Sequence, residues 1–399
     1  MRLLAISSEN PPGDTRALAS EIKNILSVSA SIDVRLVHRK QAVENVLAVV
    51  KGRSPGRRLV FNGHLDTFEV GDPSHWTHSP YGERMNGRIY GRGSSDMKGG
   101  LAVQIQAMLC LAACREHWSG ELVLALTGDE ETAGPDGTQF LLDSCELANG
   151  DAMMCADAGS PQVLRFGEKG VLWLTVTAEG KPGHGAHAHL TVSAIDRLLA
   201  ALAALSSLRD LTVRADHVVS AAIDQAAEVS EVTSGAGETD TLKSITVNTG
   251  TIEGGIATNL VAGHACATVD IRLPAGLTVA KLKARIEGLI GTLPGIRYQI
   301  DNETEATVTP PDHEIVKLTT RNCQEVLGQP VVSTMRVGSS DAALYRIKGI
   351  PSVVCGLTPY NMGAADEYVE VEELVALSKI YALTAFDYLT AVKSPARKQ

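Results

Sequence analysis

The chain has 399 residues, 44% of them hydrophobic and only 4% aromatic, so it can fill two domains of ordinary size with aliphatic cores. Its formal net charge of −10 argues against a broad nucleic-acid surface, and no apolar run approaches the ~18 residues needed to cross a bilayer. The seven cysteines are scattered and odd in number, which argues against a disulfide framework; with residues 1–6 too short for a signal peptide, the sequence reads as a soluble, cytoplasmic protein.

Strand and helix signals alternate through the first 160 residues. Residues 58–62 form a short apolar strand, and Leu101, Ile105, Met108, Leu109 and Ala112 recur at helical spacing after a glycine pair. Residues 121–127 and 152–156 are further apolar strands, closed by Gly128 and Asp157. Such alternation predicts a mostly parallel sheet with flanking helices. The middle follows a split β-α-β-β-α-β order, with strands at 171–178, 245–252, 265–273 and 297–301 and helical faces at 195–205 and 279–289. The acidic, Gly- and Thr-containing stretch 228–240 reads as a loop. A helix ending at Gly328, a strand over 351–357 and a closing helix over 371–389 restore the α/β character, and the basic tail 393–399 reads as frayed. The predicted organisation is a discontinuous α/β domain, 1–169 and 306–399, with an inserted α+β domain at 170–305.

Four segments carry chemistry: Gly63-His64-Leu65-Asp66, Gly93-Ser94-Ser95-Asp96, Gly128-Asp129-Glu130-Glu131 and Ala156-Asp157-Ala158-Gly159. Three follow an apolar strand and one opens a helix, so the carboxyl ends of a sheet could bring them to one crevice. Taken singly, each has an ordinary explanation. A lone His after a strand is usually a loop or core residue, adjacent acids often cap a helix, and Asp before a helix is a common N-cap. Their coincidence points to metal. One imidazole with several carboxylates suits Zn²⁺, Mn²⁺ or Co²⁺. Asp66 could accept the second ring N–H of His64. Of the pair Glu130 and Glu131, one carboxylate could ligate while the other stays free as a general base.

These residues resemble a known family of metallohydrolases, which includes acetylornithine deacetylase, succinyl-diaminopimelate desuccinylase, aminoacylase and the glutamate-releasing carboxypeptidases. The similarity runs from Ser8-Glu9-Asn10-Pro11-Pro12-Gly13 to Asp366-Glu367-Tyr368-Val369. It is most specific at residues 87–100, Gly-Arg-Ile-Tyr-Gly-Arg-Gly-Ser-Ser-Asp-Met-Lys-Gly-Gly. The resemblance implies a zinc-exopeptidase-like catalytic domain with a lid that also dimerises. It implies that His64 and Asp157 hold a first metal, Asp96 bridges, Glu131 holds a second, Glu130 is the general acid/base and Asp66 orients His64. It further implies a cis Asp96-Met97 peptide, a lid His184 that reaches the partner's active site, Asn259 and Arg272 binding a substrate carboxylate, and a substrate-contacting turn at Gly338-Ser339-Ser340-Asp341. One position departs: the family's His three residues before its acidic pair is here Gly363.

The sequence therefore predicts a hydrolase of an amide bond in an N-acyl amino acid or small peptide-like, carboxylate-bearing substrate. It would hold one or two zinc ions per subunit (Mn or Co also fitting) and form a homodimer through the lid, with no nucleic-acid or membrane partner. The competing readings are a single-metal hydrolytic deaminase and a binding protein of the same fold that has lost activity.

Overall fold

The protein is described from a computed structural model over residues 1–391. Its core is a nine-stranded sheet. Across it run Ile32–Val37, Asn45–Lys51, Glu121–Thr127, Arg58–His64, Ala152–Cys155, Ser352–Val354, Val163–Glu168 and Thr307–Val308, with Val332–Arg336 also paired to Val163–Glu168. The centre is parallel: Arg58–His64 pairs in that sense with both Glu121–Thr127 and Ala152–Cys155. Each central strand is buried on both faces. Val46, Ala48 and Val50 join one apolar cluster, and Leu47 and Val49 join another. That double burial is why these strands read as continuous apolar runs rather than alternating ones.

The inserted segment builds a four-stranded antiparallel sheet, ordered Thr246–Gly254, His264–Leu273, Gly170–Glu179 and Ile296–Thr304. Along His264–Leu273 the residues Ala265, Ala267, Val269, Ile271 and Leu273 are buried, while the alternate positions are polar and half-open. One face is thus covered, by Ala194–Ser206 and Val279–Ile286, whose apolar residues share its cluster. The mixed α/β class with a second, smaller sheet agrees with the sequence reading.

One stretch differs. Residues 228–240 are not a loop: a helix runs His217–Ser234, turns through Gly235 and Gly237 at positive φ, and a second helix follows at Glu238–Lys243. Asp216 caps the first helix by accepting the Val218 N–H at 2.8 Å. The buried stripe is Val219, Ile223, Ala226 and Ser230, small or polar in its second half, so its helical period is faint. This pair of helices leaves the inserted sheet. Val219, Ile223 and Leu242 pack in the same cluster as Leu164, Phe166 and Met335 of the large sheet. Two buried cations fasten it. Arg165 donates to the Met335 carbonyl at 2.6 Å and pairs with Glu238 at 2.9 Å, and Lys169 donates to the Thr241 and Ser244 carbonyls at 2.7 and 2.8 Å.

The sequence reading also passed over the strands Val163–Glu168 and Val332–Arg336. All seven cysteines are free, and Cys155, Cys323 and Cys355 are buried. No helix among the described residues is long and apolar enough to cross a membrane. The tail expectation at 393–399 lies outside the described residues.

Candidate functional site

His64 closes the strand Arg58–His64, and Asp157 stands two residues beyond its parallel neighbour Ala152–Cys155. Both side chains are buried and emerge at the carboxyl edge of the sheet, where open α/β folds place their sites. Asp96 comes from a separate element, the turn Ser94–Lys98 that leads into the helix Gly99–Ala113. The Asp96-Met97 peptide is cis, as the resemblance implied. His64 Nε2 lies 3.0 Å from Asp96 Oδ1 and 4.0 Å from Asp157 Oδ1, and the three residues can each offer one ligand atom within 4.8 Å of the others.

The Asp96 turn is held by a buried acid that sequence reasoning left without a role. Glu367 accepts the Ser95 N–H and hydroxyl, both at 2.9 Å, and the Asp96 N–H at 3.3 Å, while its second oxygen takes Arg92 Nη1 at 2.6 Å. Its neighbour Asp366 faces away, accepting the Thr77 and His78 N–H groups at 2.8 and 3.0 Å.

Glu130 and Glu131 sit on a short turn, Glu130–Thr132, that follows Glu121–Thr127 through Asp129 at φ 66°. Asp66 anchors this turn: its two oxygens accept the Glu130 and Glu131 N–H groups at 3.2 and 3.1 Å, and Asn10 donates to it at 2.9 Å. The nearest partner of His64 Nδ1 is the Asp66 backbone carbonyl at 2.9 Å, with the carboxylate at 3.6 Å. So Asp66 steadies the imidazole chiefly through its main chain and uses its carboxylate mainly on the acidic pair.

The electrostatics are those of crowded, desolvated acids. Burial pushes Glu130 well above the ordinary carboxylate range, and burial beside Asp96, Asp66 and Asp157 raises Glu131 to about 8. Burial likewise raises Asp157 to about 6, against the pull of Arg336. One Glu131 oxygen is buried without any hydrogen-bond partner. A buried acceptor left bare beside four other acids is costly unless a cation occupies the space between them.

One residue of the site had no part in the sequence reading. Arg336 ends the overlooked strand Val332–Arg336 and pairs with Asp157 Oδ2. The only sequence signal was a cation closing a strand just before Gly338-Ser339-Ser340-Asp341. Asp341, half-buried, accepts the Thr127 and Thr138 hydroxyls at 2.9 and 2.6 Å, which ties that turn to the base of the Glu130 loop. Ser340 is fixed in turn by Glu168, which accepts its N–H at 3.2 Å and its hydroxyl. Gly338 and Ser339 are half-buried in the same turn.

His184 and Asn259 belong to the inserted domain and lie together: Gly183–His184 pairs with Leu260–Val261, and the Gly185 N–H donates to the Asn259 carbonyl at 2.8 Å. Both side chains are exposed. Arg272 points along its own strand, with Nε 2.9 Å from Asp270. Among the described residues no hydrogen bond or ion pair joins these three to His64, Asp96, Glu130, Glu131 or Asp157. Gly363 has φ 75°, and its carbonyl accepts from Arg92 at 3.0 Å.

Buried carboxylates with one imidazole at a sheet edge, and a spare acid beside them, define the site of a metal-binding hydrolase. Comparison with known proteins gives the family. Residues 60–387 match the model of Peptidase family M20/M25/M40, and the chain belongs to this family. It is 32% identical to a succinyl-diaminopimelate desuccinylase of Cereibacter sphaeroides over 382 residues, 92% of each chain. Its fold is similar to that of an M20 family metallo-carboxypeptidase from Sulfolobus solfataricus, with a TM-score of 0.82 at 18% identity over 97% of each chain. Human carnosine dipeptidase 1 is similar at TM-score 0.72 and 16% identity, over 98% of this chain and 96% of that one. The protein is therefore a hydrolase of amide or peptide bonds, as its sequence led us to expect.

Proposed function

We propose that this chain hydrolyses the amide bond of an N-acyl amino acid or short peptide-like substrate that carries a carboxylate, with Glu130 as general base. The observation that carries the reading is the pairing of Glu130, a half-buried acid, with Glu131, whose buried oxygen has no partner, on one turn clamped by Asp66. The similarity to relatives named desuccinylase supports an N-acyl substrate.

In this reading His64, Asp96 and Asp157 would hold one divalent cation, zinc or alternatively manganese or cobalt, and Asp96 and Glu131 would hold a second where one binds. Such a cation polarises the scissile carbonyl and lowers the pKa of water to about 7. Glu130 takes the proton of the attacking water and returns it to the leaving amine, a task suited to a carboxyl whose proton affinity burial has raised. Arg336 holds Asp157 in place. The four-stranded sheet and its covering helices within 170–305, apart from the helices 217–243 that pack on the large sheet, act as a lid that brings His184 toward the developing oxyanion of a partner subunit, and Asn259, Arg272, Gly338 and Ser339 bind the rest of the substrate. A homodimer through the lid is supported by its exposed apolar residues Leu190, Val192, Leu199, Ile252 and Ile256. The enzyme would work in the cytoplasm on small molecules, without nucleic-acid or membrane partners.

The test is hydrolysis of N-succinyl and N-acetyl amino acids by protein stripped of metal and then reloaded with zinc, manganese or cobalt. Free amine released only after reloading supports the reading, and absence of hydrolysis across the panel overturns it. Ammonia released instead would favour a single-metal deaminase, which Gly363 makes chemically coherent.

A further inference from the structure

The segment Ser8-Glu9-Asn10-Pro11-Pro12-Gly13 runs as a strap beside the residues that follow His64. Ser8, buried, donates its hydroxyl to the Leu65 carbonyl at 2.6 Å, and its own carbonyl accepts the Thr67 N–H at 3.0 Å. The Asn10 N–H donates to the Thr67 carbonyl at 2.8 Å, and Glu9 accepts the Val70 N–H at 3.0 Å. Just before the strap, the Ile6 carbonyl accepts from Lys98, the last residue of the Asp96 turn, at 2.7 Å.

These bonds fix the backbone on both sides of Asn10, and Gly13 leaves room for its side chain. The Gly13 N–H donates to the Glu9 carbonyl at 2.9 Å with φ 75°, and a Cβ there would fall 2.9 Å from Asn10 Oδ1. The carboxamide so placed reaches two groups: Nδ2 lies 2.9 Å from Asp66 Oδ2 and 3.2 Å from Thr132 Oγ1. A carboxylate only accepts, so the NH₂ end faces it, and its two hydrogens suffice for the two partners. Thr132 ends the turn Glu130–Thr132, and its hydroxyl donates to the Asp129 carbonyl at 3.4 Å. That turn is bracketed by Asp129 at φ 66° and Ala133 at φ 50°, a backbone region that residues with a Cβ rarely adopt. It must therefore be held from outside. Asp66 holds its start, and Asn10 joins Asp66 to its end.

We infer that Asn10 is a positioning residue for Glu130: one carboxamide orients the Asp66 carboxylate and clasps Thr132, which sets where the general base stands. It acts through Asp66 and Thr132 alone. The inference rests on the amide-hydrolase reading with Glu130 as base and extends that reading to the N-terminal strap. Residues one step behind the groups of a metal site typically carry ~10–100-fold in activity.

Steady-state kinetics of metal-loaded variants on an N-acyl amino acid test this. Asn10→Ala should lose ~10-fold or more in kcat, with KM, metal content and melting temperature kept. Thr132→Val breaks the same clasp from an exposed side chain, so it serves even if Asn10→Ala folds poorly. It should lower kcat alone and add little to Asn10→Ala. The decisive measurement repeats each substitution in Glu130→Gln. With the base gone its placement has no value, so each should cost no more than about 2-fold there. A merely structural role would cost the same factor in both backgrounds. Equal factors, native kcat in Asn10→Ala, or a loss confined to KM overturns the proposal. Should Glu130→Gln keep native turnover, or no amide be cleaved, the amide-hydrolase reading fails on its own account. The clasp is then judged by hydrogen–deuterium exchange of residues 129–134: faster exchange confined to that segment in Asn10→Ala supports it, and unchanged exchange overturns it.

Discussion

The carboxylate of Asp66 holds the backbone of Glu131, accepting its N–H at 3.1 Å while its other oxygen accepts that of Glu130 at 3.2 Å. A residue that sequence reasoning assigned to the imidazole thus also sets where both glutamates point. Glu130→Gln removes only the proton-accepting oxygen and leaves this anchoring intact. It should retain metal and lose at least ~100-fold in kcat, the usual scale for a general base. Asp66→Asn should lower kcat less and also weaken metal retention, because it loosens the turn that carries Glu131 and removes the negative charge 3.6 Å from the His64 ring. Steady-state kinetics with elemental analysis of each variant reads both effects, and near-normal turnover of Glu130→Gln would remove it from the mechanism.

The parts of this architecture that were legible in the sequence are those whose local pattern and burial agree. The strands 58–64 and 121–127 are buried on both faces and read as apolar runs, and their ends name His64 and Glu130 directly. Helix 217–234 was hidden because half its buried stripe is Ala and Ser, and because it packs on a sheet far from its neighbours in sequence. Arg336 was hidden for a related reason: the value of a cation at a strand end depends on Asp157, 179 residues earlier. Glu367 was visible as half of an acidic pair, but which member turns inward is settled by Asp366 at φ 56° capping the Thr77 and His78 amides.

A lid shared between subunits predicts complementation. His184 is exposed and, among the described residues, has no bond to the acidic cluster, so its work would be done on a partner. His184→Ala and Glu130→Gln homodimers should each be nearly inactive, and mixing them should restore a substantial part of the native rate. Exchange of differently tagged subunits, followed by affinity capture, verifies that hybrids form. Confirmed hybrids without activity would count against a shared site.

The metal content follows from where the neighbours of Gly363 point. Asp366 is committed to the Thr77 and His78 amides, and the Asn361 side-chain amide donates to the Asp366 carbonyl at 3.1 Å. Neither is free to replace an absent imidazole. A second site built on Asp96 and Glu131 is therefore weak, whereas His64, Asp96 and Asp157 match the three ligands of a catalytic zinc. After dialysis we expect one metal per chain. A stable ratio near two would contradict this.

The same acids predict how stability changes with pH. Burial raises Asp129 to about 7 and Glu131 to about 8, so the folded, metal-free protein binds protons that the unfolded chain releases above its ordinary carboxylate range. Burial opposes the charge on His64, but Asp66 and Asp96 outweigh it and raise its pKa, which acts in the same direction. Asp66 and Asp96 are held below 3.8 and oppose only under that pH. Metal-free protein should therefore become more stable as pH falls from about 8 to about 5. Metal-loaded protein should do the reverse, as protons displace the cation. Thermal melts with and without chelator across this range distinguish the two slopes, and parallel curves would refute the assignment.

Arg336 allows a prediction that separates charge balance from catalysis. Its guanidinium is largely buried and pairs with Asp157 Oδ2, which leaves Oδ1 turned toward His64 at 4.0 Å. Removing one partner of a buried pair typically costs about 3–5 kcal/mol, because the other charge is left uncompensated. Arg336→Met keeps much of the side-chain volume and removes the charge. In metal-free protein the remaining balance for Asp157 is the His64 ring 4.0 Å away, so much of the loss should appear as a lowered melting temperature. In metal-loaded protein the cation is itself a partner for Asp157, and the loss should be much smaller. The difference between the two melting shifts thus measures how far Arg336 and the metal serve the same carboxylate. Equal shifts in both forms would mean that Arg336 acts on the fold alone and that Asp157 does not hold the cation.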